Sequence, residues 1–180
     1  MKLNVKTIAY TAVFSALCAV ATLIIIIPLP NGYVNLGDVF VLLSGWCLGP
    51  IYGALASGIG SMIADIISGY VAYAPVTFFV KGAVSLCAYL IWALIIKAVK
   101  NKKLDFVVRL ISAIIGEIVM VLGYFVYESI LYGIPGGALA LLGNSMQGLT
   151  CAIGGVLLVV AISNVKYFNK IFPLLKEEKN

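Results

Sequence analysis

The chain has 180 residues, 63% of them hydrophobic and 11% charged, with a mean hydropathy of +1.12 and a formal net charge of +5. A soluble domain is roughly one quarter charged, so this composition excludes one and defines an integral membrane protein. Stretches without a charge run from Thr7 to Gly37, Val39 to Ala64 and Ser129 to Val165, each longer than the ~20 residues that cross a bilayer as helix. The strict alternation of a lipid-facing barrel is absent. The expectation is an all-α bundle of about six transmembrane helices forming a single membrane domain.

In chain order, Lys2 and Lys6 precede an apolar stretch in which Ala19-Val20-Ala21 imitates a signal-peptidase site. A run of isoleucine follows instead of a polar cleavage region, so this segment reads as a first transmembrane helix. The helices are expected at about Val5–Ile27, Gly37–Leu48, Ile51–Tyr70, Thr77–Ala98, Phe106–Leu131 and Leu141–Asn164, with a basic tail over 165–180. Breakers separate them: Pro28-Leu29-Pro30-Asn31-Gly32, Gly49-Pro50, Ala74-Pro75 and Gly133-Ile134-Pro135-Gly136-Gly137. The second helix is short. Either it lies in a locally thin region or it starts earlier, near Tyr33.

Lysine and arginine set the orientation. With both termini cytoplasmic, the inner segments hold 11 of the 12 basic residues, and Lys81 is the exception. The net charge is thus topological and implies no nucleic-acid partner. The four cysteines, Cys18, Cys47, Cys87 and Cys151, are widely spaced and the chain has no histidine. They read as small packing residues, with no metal site and no cofactor expected.

This topology carries polar side chains of five helices to one outer level. Asp38 opens the second helix and Asp65 lies ~8 Å below the outer end of the third. Lys81 sits a turn into the fourth, Glu128 near the end of the fifth, and Asn144 and Gln147 in the first turns of the sixth. Glu117 is deeper, on one helical face with Tyr124 and Glu128. The inner halves of the spans are almost featureless, which describes a cup opening outward. Four intramembrane carboxylates, Asp38, Asp65, Glu117 and Glu128, face the single Lys81, and pairing cannot satisfy them all. The structural alternative is that Asp65 or Glu128 pairs with Lys81 to lock the bundle, and Asp65 reads either as a hydrogen-bond acceptor in a pocket wall or as that counter-charge. Tyr33, Tyr70, Tyr127 and Tyr132 read as an interfacial belt, whereas Tyr73 and Tyr124 adjoin the polar cluster. The first helix carries Ala9, Ala12, Ala16 and Ala19, and the third Gly53, Ala56, Ser57, Gly60, Ala64 and Ser68. Such small residues serve close helix packing or a partner helix.

The stretch "YVNLGDVFVLLSGWCLGPIYGALASGIGSMIADIISGYVAYAPVTFFVKG", Tyr33 to Gly82, resembles the N-terminal half of substrate-binding S-components of energy-coupling factor (ECF) vitamin transporters. "GNSMQG", Gly143 to Gly148, resembles the opening of that family's last helix. The resemblance implies a six-helix protein of the prokaryotic cell membrane that captures a vitamin or precursor from outside. It also implies partners: a transmembrane coupling subunit, touched by Ala12 and Ala16, and two cytoplasmic ATPases. The chain lacks a phosphate-binding G-x-x-x-x-G-K-[ST] loop, and no catalysis of its own is expected. Within the family it looks closest to the group linked to hydroxymethylpyrimidine, pyridoxine and similar heteroaromatics, with thiamin and riboflavin as further candidates. Asn35 joins Asp38, Asp65, Tyr73, Lys81, Glu117, Tyr124, Glu128, Asn144 and Gln147 as candidate substrate-binding residues. Pro28–Asn35 and Tyr70–Pro75 are expected to form a lid. A self-sufficient proton-coupled transporter, with Glu117 and Asp65 relaying protons, is the alternative reading.

Overall fold

The computed structural model describes residues 4–24, 26–29, 32–99, 101 and 104–175. Helix α1 (Val5–Ile24) begins behind Asn4, whose Oδ1 accepts the backbone N–H of Thr7 at 2.9 Å and so caps the first turn. It ends at Ile24 rather than Ile27. The β-branched residues and proline that follow favour an extended chain. Strand β1 (Ile26–Leu29) pairs antiparallel with β2 (Gly32–Asn35), setting Ile26 opposite Asn35 and Pro28 opposite Tyr33. The segment expected as part of a lid thus has the form of a hairpin; Pro30 and Asn31 lie outside the described residues.

Helix α2 (Gly37–Leu48) is followed at once by α3 (Pro50–Ile67), with the reversal made at Gly49 by a positive φ of 82°. Pro50 occupies the first turn of α3, where its missing N–H costs nothing. A Cβ on Gly53 would stand 2.7 Å from the Cα of Gly45, so the two helices run backbone against backbone. At 12 residues α2 measures ~18 Å, well short of a bilayer. It does not start earlier, near Tyr33, because Gly32–Asn35 form β2. Ten of its residues are buried among the other helices, the hairpin precedes it, and the C-terminal segment closes the other end.

The third helix ends at Ile67 rather than Tyr70, and α4 (Ala74–Val99) starts at Ala74 rather than Thr77. Helix α5 (Asp105–Ser163) is continuous except at Gly133, where φ 76° and ψ 168° break it into arms 105–132 and 134–163. No loop over 132–140 separates them. Straight, its 59 residues would reach ~88 Å, about three hydrocarbon thicknesses. Instead the arms fold back on each other. A Cβ on Gly137 would lie 2.7 Å from the carbonyl oxygen of Phe125, and one on Gly148 would lie 2.9 Å from Cβ of Glu117. Helix α6 (Lys166–Ile171) and a 3-10 turn (Pro173–Leu175) then cross the end of the bundle opposite the hairpin. There the Phe172 ring sits 5.3 and 5.6 Å from those of Tyr10 and Phe14 on α1.

Among the described residues, four helices are long and apolar enough to cross a membrane: α1, α3, α4 and α5. Small residues govern how they meet. A Cβ on Gly60 of α3 would fall 2.2 Å from the backbone oxygen of Ser15 on α1, and Ser15 Oγ donates to the carbonyl of Ala56 at 3.0 Å. The four cysteines are free thiols; Cys18, Cys47 and Cys151 are buried.

Candidate functional site

A cavity opens at the hairpin end of the bundle, with about 650 Å³ of free space counted to its open mouth. Helix α3 supplies Ser61 and Asp65, one turn apart on one face, and α4 supplies Thr77 and Lys81. The first arm of α5 contributes Tyr124 and Glu128, and the second Leu139, Ala140, Asn144 and Gln147. Thr22 of α1, Tyr33 and Asn35 of the hairpin, and Tyr70 and Tyr73 of the α3–α4 turn complete the lining. Apolar walls with a few convergent polar groups are the usual form of a small-molecule site.

The floor is a buried polar network. Lys81 Nζ lies 2.7 Å from both Asp38 oxygens, and neither side chain is more than 5% exposed. Asp38, not Asp65 or Glu128, is therefore the partner of Lys81. The geometry brings Asp38 to the buried start of α2, directly across from α4. Gln147 Nε2 donates to Asp38 Oδ2, while its Oε1 accepts the backbone N–H of Asn35 at 2.9 Å. Asn35 Oδ1 in turn accepts the N–H of Gly37 at 2.8 Å. One glutamine thus ties the hairpin to the ion pair, a link that satisfies four buried polar groups together.

The upper wall is aromatic. Tyr33 Oη donates to Asp65 Oδ1 at 2.6 Å. Burial, reinforced by that carboxylate, pushes the Tyr33 phenol well above the ordinary tyrosine range, so it stays a donor. Tyr33, Tyr70, Tyr73 and Tyr127 follow one another with ring centroids 4.9, 6.1 and 5.2 Å apart. Tyr127 Oη donates to the carbonyl of Ala72 at 2.5 Å, and Tyr124 Oη lies 2.9 Å from Thr77 Oγ1.

Of the residues expected from sequence, Asn35, Asp65, Tyr73, Lys81, Tyr124, Glu128, Asn144 and Gln147 line the cavity. Asp38 and Glu117 lie behind the lining. Glu117 is buried against Gly148, and neither of its carboxylate oxygens has a hydrogen-bond partner among the described residues. Tyr33 and Tyr70, read as belt residues, belong to the wall. Thr22, Ser61 and Thr77 gave no signal in the sequence except that Ser61 stands four residues before Asp65. Ala9, Ala12 and Ala16 face outward from α1, while Ala19 is buried.

The opposite end is closed. Arg109 is buried, donates from Nε to Asp105 Oδ2 at 2.7 Å, and holds its guanidinium 4.3 Å from the Trp92 ring and 5.4 Å from that of Trp46. Trp92 Nε1 also donates to Asp105, at 2.7 Å. This cluster corrects the expectation of a featureless inner half.

A multi-pass helical bundle with a polar-floored cup at one end and a sealed base at the other is the architecture of a membrane-embedded binding protein. Residues 2–164 match the family described as ECF-type riboflavin transporter, S component, and the chain belongs to that family. A solved structure titled "Structure and mechanism of the S component of a bacterial ECF transporter" superposes with a TM-score of 0.60 at 25% identity, covering 88% of this chain and 96% of that one. A protein of Pyrococcus woesei named only by its place in a gap 3′ region is 34% identical over 141 residues, 77% of this chain and 86% of that protein.

Proposed function

We propose that this chain is the substrate-binding subunit of an ATP-driven ECF importer in a prokaryotic cell membrane, capturing a flat heteroaromatic vitamin or precursor from outside. The observation that carries the reading is the cavity itself: tyrosine rings on one wall, with Asp65, Glu128, Asn144 and Gln147 converging on the same space. Rings of this kind stack on a planar ligand, while carboxylates and amides bond its edge. Riboflavin, named in the family's description, is the first candidate; hydroxymethylpyrimidine, pyridoxine and thiamin share the required planarity.

In this reading the chain crosses the membrane six times, counting α2 and both arms of α5, with both termini cytoplasmic as the lysine and arginine distribution requires. The outward-facing Ala12 and Ala16 meet a transmembrane coupling subunit, whose two ATPase partners supply the energy. The hairpin and the Tyr70–Pro75 turn form the lid.

The test is mass spectrometry of the small molecule that co-purifies with the full chain in mild detergent. A bound heteroaromatic is expected; a chain that binds only non-aromatic compounds would overturn the reading. Buried Glu117, without a hydrogen-bond partner among the described residues, favours the proton-coupled alternative as the second reading. Uptake by this chain alone in liposomes under a proton gradient would establish that alternative, and dependence on ATP and added subunits would remove it.

A further inference from the structure

We infer that the base of the bundle binds anionic phospholipid headgroups, gripped by Lys166 and Lys170 of α6 with Tyr167 as the apolar anchor. This end of the molecule lies opposite the cavity, and its partner is independent of what the cavity holds.

The two ends differ in exposed charge. At the base, Lys6 in the first turn of α1, Lys97 in the last turn of α4, and Lys166 and Lys170 on α6 are all exposed. None of these four ammonium groups has an ion-pair partner among the described residues, whose ion pairs are Lys81 with Asp38 and Arg109 with Asp105. Asp105 is the carboxylate described at this end, and Arg109 and Trp92 already occupy it. At the hairpin end the described charged side chains Asp38, Asp65, Lys81 and Glu128 are all buried. The free positive charge is therefore concentrated at the base.

Depth decides what meets it. The 20 residues of α1 measure ~30 Å, the thickness of the hydrocarbon core, so its first turn stands at one membrane boundary. Phe172, just past α6, packs against Tyr10 and Phe14, which lie one and two turns inside that boundary. Helix α6 is thus held at headgroup level instead of projecting into water. Its hold is firm: Asn169 Nδ2 donates to the Ser163 carbonyl at 2.6 Å, and Phe172 and Leu175 are buried.

The surface of α6 fits that level. Lys166 and Lys170 are four positions apart and share a face, where like charges repel unless an anion joins them. Each ammonium brings three donors, which suits the oxygens of a phosphodiester. Beside them Val165, Tyr167 and Phe168 are exposed, Tyr167 by 69%. A tyrosine ring and lysine stems set among acyl chains, with hydroxyl and ammonium at the headgroups, form an interfacial anchor. A basic segment at this depth attracts anionic lipid. Headgroup binding would also hold the seal, because the same segment carries the Leu174 carbonyl, 3.4 Å from Arg109 Nη2.

The experiment is native mass spectrometry of the full chain in mild detergent, titrated with phosphatidylglycerol or with phosphatidylcholine of the same acyl chains, alongside thermal unfolding of the same samples. Phosphatidylglycerol should be retained roughly 100-fold more tightly and should raise the unfolding midpoint, as several juxtamembrane lysines acting together require. The double variant Lys166→Gln, Lys170→Gln should cut that preference by about 25-fold, or about fivefold per lysine. Both side chains are exposed, so the variant should stay monodisperse. Tyr167→Ser should weaken both lipids by a similar few-fold factor and spare the preference. Raising the salt to about 0.5 M should collapse the preference, since exposed charges are screened. Equal retention of the two lipids, or a preference unchanged in the double variant, would overturn the inference and leave these lysines to an acidic protein partner. A midpoint raised as much by inorganic phosphate as by phosphatidylglycerol would overturn it in favour of a free-anion site.

Discussion

The two ends of the bundle are each built around a buried cation and a carboxylate, yet one end is open and the other sealed. At the hairpin end Lys81 pairs with Asp38, whose side chain is fully buried, and one Tyr124 ring stands 5.3 Å from the ammonium. At the far end Arg109 pairs with Asp105, which is 24% exposed, and two indole rings cover the guanidinium. The difference lies in what occupies the remaining faces of the cation. Tryptophan fills space and supplies a π-face, so the base packs solid, helped by the Arg109 Nη2 contact to the Leu174 carbonyl at 3.4 Å. Around Lys81 the neighbours are tyrosine, threonine, asparagine and glutamine, which leave volume and spare hydrogen-bonding capacity. A buried ion pair by itself makes neither a site nor a seal; its second ring of neighbours decides.

The largest effect that would break this comparison is expected from Lys81→Met. It leaves Asp38 buried without its cation and should cost about 3–5 kcal/mol of stability, together with ligand binding. Thermal unfolding in detergent, read by loss of the monodisperse peak, measures it; an unchanged midpoint would show that Asp38 finds another partner. Arg109→Met should cost less, about 2 kcal/mol, because Asp105 reaches solvent at its edge and keeps its bond from Trp92. Ligand affinity in that variant should stay within a few-fold of wild type, and a large loss would mean that the base and the cup are coupled. The smallest effect is expected for Tyr33→Phe. Removing the hydroxyl that meets Asp65 should change ligand affinity by roughly tenfold, mostly through faster dissociation as the hairpin loosens. Stopped-flow kinetics would separate the two rates, and a purely slower association would contradict a lid held by this bond.

Much of the fold was legible because bilayer chemistry is stringent. Gly49-Pro50 is a reversal, and Gly133 with Pro135 a break, since backbone without helical bonding is tolerated there only briefly. The α2 bounds at Gly37 and Leu48 could be read from their flanking signals. What sequence misjudged was continuation. The sequence predicts helix α1 continuing into isoleucines that instead pair as β1, because an apolar run does not distinguish a strand from a helix. Sequence predicts a loop over 132–140, because glycine and proline do not announce how many residues a turn will consume. Sequence places Tyr33 and Tyr70 in an aromatic belt because it gives their depth but not their direction.

The sequence by itself determined that this protein lives in a membrane, and that polar groups from several helices gather at one level. Both follow from local composition and helical periodicity, which each segment carries on its own. Only the tertiary structure decided that Lys81 belongs to Asp38, that Gln147 ties the hairpin to that pair, and that Tyr33 of the hairpin meets Asp65. Those contacts join residues as far as 112 positions apart. They depend on the rotation of each helix against its neighbours, set by close approaches at Gly45, Gly53, Gly60 and Gly148 that no single segment encodes.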